Sequence, residues 1–521
     1  MSQQQQRWMN RTMLSVSLMI VIVLMVTASQ LFVRQNVASA QQQTFVQATS
    51  VTLPNYYMEN MVFQRNETMS FRGKTEHNAT ITVTVARGNT ITSRTSNADD
   101  SGNFSISLPS PKAQLEPYTL TVSSGKTVLK RIRHVYVGDV FLAAGQSNME
   151  VNYDDYYGTE ALRKANLGAK FTTDDLPQTI DDSHVYFLVT DKTASSTPES
   201  ELPVREYNDR SWLPATSDNT DRFGYLPQFF AQQVRETTPN VPIGIIQIAW
   251  GGTTITRQMA GGDIYNTHIT PLKGFKVAGV LWYQGEQDAD SYDTALAYQY
   301  NFTTLISQYR SFFKNKNLPF LYVQLARYGG GSNWSTIRQA QFAVAANSGR
   351  DDAVAMTVSI DTDRGTDTLI HPFGKELVAI RMADQWKAIR DGDDVPDGPL
   401  ATAAVSEDDG STAVVSFKDG TGSGLAALAP NYTLEADKYT FNGPTSQALT
   451  NFEAAGDDGV FYPANATISG DTVVITSDKV RRIRQVRYLW EADPSPKTLL
   501  YNSYDLPASP FTITVASDED E

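Results

Sequence analysis

Between residues 136 and 390 the chain repeatedly sets an unbroken apolar run ahead of a glycine or polar loop: Val140-Phe-Leu-Ala-Ala144, Ile243-Gly-Ile-Ile-Gln-Ile-Ala-Trp250, Val277-Ala-Gly-Val-Leu-Trp-Tyr283 and Ala353-Val-Ala-Met-Thr-Val-Ser-Ile360. A strand with one wet face alternates apolar and polar residues, so a run that is apolar on both faces must be covered on both. Helical stretches such as Tyr298-Gln-Tyr-Asn-Phe-Thr-Thr-Leu-Ile-Ser-Gln-Tyr309 alternate with these strands. The alternation predicts an α/β domain over residues 136–390, with a central parallel sheet and helices on both of its faces.

The flanks read differently. Residues 51–135 contain short alternating strands, among them Ala79-Thr-Ile-Thr-Val-Thr-Val85 and Tyr118-Thr-Leu-Thr-Val122, separated by Gly, Asn, Asp and Ser turns. They predict a small N-terminal β-sandwich domain. After the linker Asp391-Gly-Asp-Asp-Val-Pro-Asp-Gly-Pro399, strands return, including Ala413-Val-Val-Ser-Phe417 and Thr472-Val-Val-Ile-Thr476. We expect a β-rich, sandwich-like C-terminal domain over 396–515 and a disordered acidic tail over 516–521. At 521 residues with 41% apolar content, the chain can bury more than one core.

Residues 1–50 read as a targeting segment and linker. Arg7 and Arg11 precede a run from Met13 to Val33 interrupted only by Ser, Thr and Gln, followed by Arg34. A stretch of about 20 residues suits a signal-anchor helix, which makes a membrane anchor one reading. Ala38-Ser-Ala40 offers an A-x-A cleavage site, which makes a removed signal peptide the other. Both place the chain in the secretory pathway, as a secreted or extracellular, lysosomal or anchored protein. Asn-x-Ser/Thr sites at Asn66, Asn78, Asn103, Asn301, Asn333, Asn431 and Asn465 permit N-glycosylation there. With no cysteine there is no disulfide framework. The net charge of −14 argues against nucleic acid or an anionic membrane surface as a partner, since both need a positive face.

Chemistry concentrates where the apolar runs end. The run before Gly145-Gln-Ser-Asn-Met-Glu150 breaks at a glycine and delivers Ser147 to a sharp turn, the presentation a nucleophile needs. Taken alone, such a turn is more often structural than catalytic. A serine nucleophile requires a base, and the chain has five histidines. His77, His134 and His184 read as surface or packing residues, and His268 in Tyr265-Asn-Thr-His-Ile-Thr-Pro-Leu272 as a packed polar or substrate-contacting group. His371 follows a buried strand and an aspartate-rich loop and precedes an amphipathic helix, so it can reach a serine on another loop. Acyl transfer also needs donors for the oxyanion. Gly251-Gly252-Thr253-Thr254 and Gln284-Gly285-Glu286-Gln287-Asp288, each at the exit of a buried strand, supply bare backbone and a side-chain amide. The four exits together make a complete acyl-transfer set. The strand-ending aromatics Trp250, Trp282 and Tyr283 read as core or acetyl-pocket wall more than as sugar platforms. Arg257 could grip a sugar carboxylate or sit in a surface ion pair.

These blocks carry a resemblance. Gly145-Gln-Ser-Asn-Met149, Trp250-Gly-Gly-Thr253, Trp282-Tyr-Gln-Gly-Glu286 and His371-Pro372 resemble those of the sialate O-acetylesterase family of SGNH hydrolases. The likeness extends through Tyr57-Met-Glu-Asn-Met-Val-Phe-Gln-Arg65, Leu318-Pro-Phe-Leu-Tyr-Val-Gln-Leu325 and Leu506-Pro-Ala-Ser-Pro-Phe511, covering nearly everything after residue 50. It implies an SGNH-type sheet with Ser147 as nucleophile, His371 as general base, and the backbone N–H groups of Ser147 and Gly252 as oxyanion donors. It also implies Gln284 as the amide donor, with Glu286 another acid at the site. SGNH enzymes commonly carry an aspartate three residues before the histidine, where this chain has Thr368. Asp367 ranks first as the substitute, ahead of Asp363 and Glu286, and a Ser-His dyad would also serve.

The implied reaction passes through an acetyl-serine and needs neither metal nor organic cofactor. The expected substrate is an acetylated carbohydrate: a sialic acid first, acetylated plant or algal polysaccharide such as xylan second. A glycan-binding protein on a degenerate hydrolase scaffold is the non-enzymatic alternative. Oligomeric state is not legible.

Overall fold

The computed structural model describes residues 46–349, 352–407, 410–435, 438–444 and 448–516. The expectations for the leader up to residue 45 and for the tail beyond 516 lie outside these residues.

The spine of the fold is one strand, β1 (Thr127–Gly145). Its first half pairs antiparallel with Gln114–Ser124 among the N-terminal strands. Its second half pairs parallel with a strand on either side. Most of the N-terminal strands and the helix-covered sheet are therefore parts of one 12-stranded mixed sheet, Thr68–Lys74 and Asn103–Pro109 pairing separately, and the boundary expected between residues 135 and 136 falls inside a continuous strand. Burial changes there even though the backbone does not: residues 127–134 are mostly exposed, and everything from Val135 to Gly145 is buried.

The parallel part runs β3 (Leu213–Ala215), β2 (Asp182–Val189), β4 (Ile243–Gln247), β1, β5 (Gly279–Tyr283), β6 (Phe320–Val323) and β7 (Val354–Thr357). Every neighbouring pair is parallel except β3 with β2. One face is covered by α2 (Tyr225–Thr237) and α5 (Lys375–Asp391), the other by α3 (Tyr292–Phe313) and α4 (Trp334–Asn347). Phe141 of β1 meets Phe230 and Trp386 edge-on at 4.9 and 5.0 Å. On the opposite face Trp282 stacks on Phe302 at 5.7 Å, and Tyr322 meets the same ring edge-on at 4.9 Å. Each such ring is worth about 1.5–3 kcal/mol of burial, which explains why runs apolar on both faces settle here.

Beyond residue 400 the described chain is β-rich, including a four-stranded sheet of Ala401–Glu407, Thr412–Phe417, Thr472–Thr476 and Asn465–Ser469. It is fastened to the α/β sheet by buried polar groups. Arg338 of α4 donates to the carbonyls of Leu325, Ala326, Glu491 and Ala492, and Gln324 donates to Ser509.

The order of connections positions the site. After β1 the chain passes to β2, returns to β4 beside β1, and then crosses to β5 on β1's other side. The loops after β4 and β5 thus leave on opposite sides of β1, opening a crevice at the carboxyl ends of all three strands, where open α/β sheets bind ligands.

Candidate active site

β1 ends at Gly145, with φ +117°. A Cβ there would lie 2.2 Å from the Tyr283 carbonyl oxygen of β5, so only glycine lets the chain turn against its neighbour. Gln146 follows, its N–H donating to that same carbonyl at 2.9 Å, and Ser147 opens the short helix α1 (Ser147–Glu150). Ser147 is 7% exposed. Among the described residues neither its N–H nor its Oγ has a hydrogen-bond partner.

The loop leaving β4 packs on this turn. A Cβ on Gly251 would come 3.0 Å from Ser147 Cβ, 2.8 Å from Glu150 Oε1 and 2.9 Å from the Tyr156 hydroxyl. Buried Glu150 gathers that corner: its Oε1 accepts from Gly251 N–H at 3.0 Å, the Tyr156 hydroxyl at 2.5 Å and Lys192 Nζ at 2.9 Å. The loop then turns at Gly252, φ +67°, whose N–H has no partner among the described residues. Two backbone donors are thus left open beside the serine. Sequence reasoning passed over Glu150, though it stands three residues after Ser147; Tyr156 and Lys192 carried no motif.

His371 lies on the loop before α5, with its ring edge-on to Tyr156 at 5.1 Å. Burial, helped by the nearby Lys375 cation, pushes its pKa down to about 3, so the imidazole is neutral at pH 7, the form a general base requires. This loop is tied to α1 through Asn148. The Asn148 amide donates to the Ile370 carbonyl at 2.9 Å and to Glu286 Oε1 at 2.5 Å. Its oxygen accepts from Lys375 Nζ at 2.8 Å, and Lys375 also donates to the Pro372 carbonyl at 2.8 Å. Both carbonyls flanking the histidine are therefore anchored to the residue after the serine. Glu286 is buried and pushed up to about 7, and Lys375 is pushed down to about 7, each by burial of its charge. No hydrogen bond joins Ser147 to His371 among the described residues; such bonds often tighten only with substrate in place.

Replacing Lys375 with methionine tests the clasp. Burial, the larger cause of the His371 shift, remains, so without the cation the acidic limb of the kcat/KM–pH profile should move up only in part, and kcat should fall by roughly tenfold as the loop loses its anchor. An unmoved limb would refute it.

Among the described residues no hydrogen bond or ion pair joins Asp367 to His371. The Asp367 carboxylate lies 4.0 Å from Arg327 Nη2, on the side of Asp493. Asp363 is paired bidentately with Arg327 at 2.8 and 3.0 Å, and Asp361 with Arg381 at 2.7 and 2.8 Å. Arg327, on the loop after β6, and Arg381 of α5 thus engage these carboxylates, and the loop turns at Gly365, φ +74°. This corrects the expected contact. In a working triad, aspartate to amide costs about 10⁴ in kcat, whereas Asp367→Asn should here change it less than about threefold; a loss above about a hundredfold in acetate release would restore the aspartate.

Gln284 reaches the floor of the site, fully buried. Its amide nitrogen is already engaged by the Thr253 carbonyl at 3.0 Å, Asp288 at 2.5 Å and Gln146 Oε1 at 3.2 Å. Trp282 and Tyr283 are core residues, while Trp250 is half-buried. His268 is fully packed between the carbonyls of Asp191 and Ile264. His134 is exposed beside Glu59.

Comparison with known proteins follows this geometry closely. A family model described as carbohydrate esterase, sialic acid-specific acetylesterase matches residues 137–371, from β1 to the histidine. A crystal structure of a carbohydrate acetylesterase from Xanthomonas citri superposes with a TM-score of 0.73 at 32% identity, covering 89% of this chain and 99% of that one. The chain belongs to the sialic acid-specific acetylesterase family of carbohydrate esterases. It is also similar to the sialate O-acetylesterases of Pongo abelii and Homo sapiens, 26% identical over 358 residues. These alignments take in 58% of this chain and 64% of each relative, so the match spans under two thirds of their length. Within this family of carboxylic ester hydrolases, the matched span holds both Ser147 and His371.

Proposed function

We propose that the chain is a serine esterase that removes O-acetyl groups from carbohydrates through an acetyl-serine intermediate. The observation that carries this reading is the pairing of an unbonded Ser147 with two open backbone donors, its own N–H and that of Gly252, at the switch point of the sheet. His371, kept neutral by burial, takes the Ser147 proton as Oγ attacks the acetyl carbonyl, then returns it to the departing sugar oxygen. Water, deprotonated by the same imidazole, releases acetate. With Asp367 beside Arg327, the imidazole is oriented by the Asn148–Lys375 clasp on its loop and by the Tyr156 ring. We read Glu286 as a positioning residue that holds Asn148.

The names of the relatives point to sialic acids as the substrate. Acetylated neutral polysaccharide, xylan among them, is the second reading, and one observation favours it. Arg257, the residue suited to a sugar carboxylate, is paired with Asp263 at 2.9 Å and lies 4.7 Å over the Trp250 ring. A cation so engaged has little left for a sialate, whereas a neutral sugar has no need of it.

Acetate release by the purified protein, measured in parallel on O-acetylated sialic acid and acetylated xylan, tests both. Release abolished by Ser147→Ala is expected on at least one of them; none from either would move the reading to a narrower glycan or to binding alone. The leader supports a place in the secretory pathway, and N-terminal sequencing of the exported protein would distinguish cleavage after Ala40 from retention as an anchor.

A further inference from the structure

Two backbone donors beside Ser147 leave the oxyanion one short of the set that acyl-transfer sites commonly use, backbone N–H groups together with a side-chain amide. The amide expected for that task, Gln284, is bonded to three acceptors and sealed from solvent. The amide of Gln146 is in a different state. Its Oε1 accepts from Gln287 N–H at 3.2 Å and from Gln284 Nε2 at 3.2 Å. Those bonds determine which end of the amide is which: Gln287 contributes a backbone N–H, and Gln284 Nε2 faces a carbonyl and a carboxylate, so it can only be the nitrogen. Nε2 of Gln146 is thereby oriented without a partner of its own among the described residues. It belongs to a side chain only 2% exposed, yet it is absent from the nitrogen atoms closed off from solvent without a partner. A donor fixed in orientation, open to solvent and without a protein partner is free to be offered to an acceptor on a bound ligand.

Its surroundings say what that acceptor is. Gln146 immediately precedes the nucleophile. Its amide is bonded to Gln284, whose nitrogen in turn holds the Thr253 carbonyl next to Gly252. It is also bonded to Gln287, whose own side-chain oxygen is 3.7 Å from a Cβ built on Gly252. The amide is thus bracketed by the serine turn, the Gly252 loop and the 284–287 loop, the three walls of the crevice.

We propose that Gln146 Nε2 is the side-chain donor to the acyl oxygen, completing an oxyanion site with the N–H groups of Ser147 and Gly252, while Gln284 serves to hold Gln146 in place. The inference rests on the esterase reading. As Ser147 Oγ bonds to the acetyl carbon, the carbonyl π pair moves onto oxygen, where these three N–H groups receive it. Collapse returns the pair to carbon and expels the sugar oxygen, which takes the proton held by His371.

The test is the acylation burst with p-nitrophenyl acetate, alongside steady-state acetate release. Gln146→Glu keeps the oxygen that Gln287 and Gln284 bond, but replaces the donor by a second oxygen. Its burst rate at pH 8 should fall by about 10²–10³-fold with KM nearly unchanged, and should partly recover as the pH is lowered and the introduced carboxyl gains a proton to donate. Gln146→Met, which cannot donate at any pH, should lose as much and recover nothing. A Gln146→Glu burst within about threefold of wild type would overturn the assignment, and so would equal losses in both variants with the same flat pH dependence, the mark of a merely structural residue. If Ser147→Ala were as active as wild type, the esterase reading and this inference would fall together; if Ser147→Ala were dead and the Gln146 variants full, only the inference would.

Discussion

Ser147→Ala should abolish acetate release, with kcat falling by at least about 10⁴-fold, while the protein unfolds at the same denaturant midpoint as wild type or slightly above it. The stability half of this expectation comes from geometry: Ser147 Oγ has no hydrogen-bond partner among the described residues, so truncation breaks no bond. The activity half comes from chemistry, because the attacking oxygen is removed and the nearby Tyr156 hydroxyl is committed to Glu150. His371→Ala should be nearly as severe, and the double variant hardly worse than either single one, since serine and histidine act as a unit. Additive losses would mean that the two residues do not share one proton transfer. That outcome would remove the acetyl-serine mechanism whatever the substrate proves to be.

Gly145→Ala should be severely damaging, because it adds a methyl group where the catalytic sheet has no room for one. The added Cβ would meet the Tyr283 carbonyl oxygen at 2.2 Å and its carbon at 2.8 Å. Neither atom can move aside, because Tyr283 is the register partner of Gly145 and its carbonyl accepts the Gln146 N–H. The φ of +117° adds conformational strain of its own. Together, backbone strain and overpacking should cost about 2–6 kcal/mol by urea unfolding, with activity lost because the turn carrying Ser147 is displaced. Gly88→Ala is the control: its φ is +53° with nothing within 4 Å, so it isolates backbone strain alone, about 1 kcal/mol. A Gly145→Ala protein with wild-type stability and turnover would show that this turn does not position the nucleophile.

How far the site could be read in advance depended on the reach of each interaction. Ser147 and Gly252 lie on the loops just after β1 and β4 and His371 on the longer loop between β7 and α5, and an unbroken apolar run announces such a loop to within a few residues. Glu150 could have been weighed from its place three residues after Ser147, but its bonds to Gly251 and Lys192 cross 101 and 42 residues of sequence. Asp367 shows the opposite failure. Nearness in sequence to His371 suggested a contact, yet the carboxylate lies instead beside Arg327, on the loop after β6. Gln284 and Gln146 are both amides beside the crevice, and only the count of donors and acceptors around each separates them.

The domain boundary teaches the same lesson. The pattern changes at residue 135 because burial changes there, and hydrophobic periodicity reports burial. It does not report whether the backbone breaks, and β1 continues through.

By itself, then, the sequence determined which segments are strands buried on both faces, and that the loops after them carry a serine, a glycine pair, an amide and a histidine. Those features are local: a run of apolar side chains and a glycine's freedom act within a few residues. Only the tertiary structure decided which carboxylates face arginines instead of the histidine, which amide keeps an open donor, and that Asn148 clasps the histidine loop. Hydrogen bonds and ion pairs are formed between whichever groups the sheet order brings within about 3 Å, and no spacing along the chain encodes that distance.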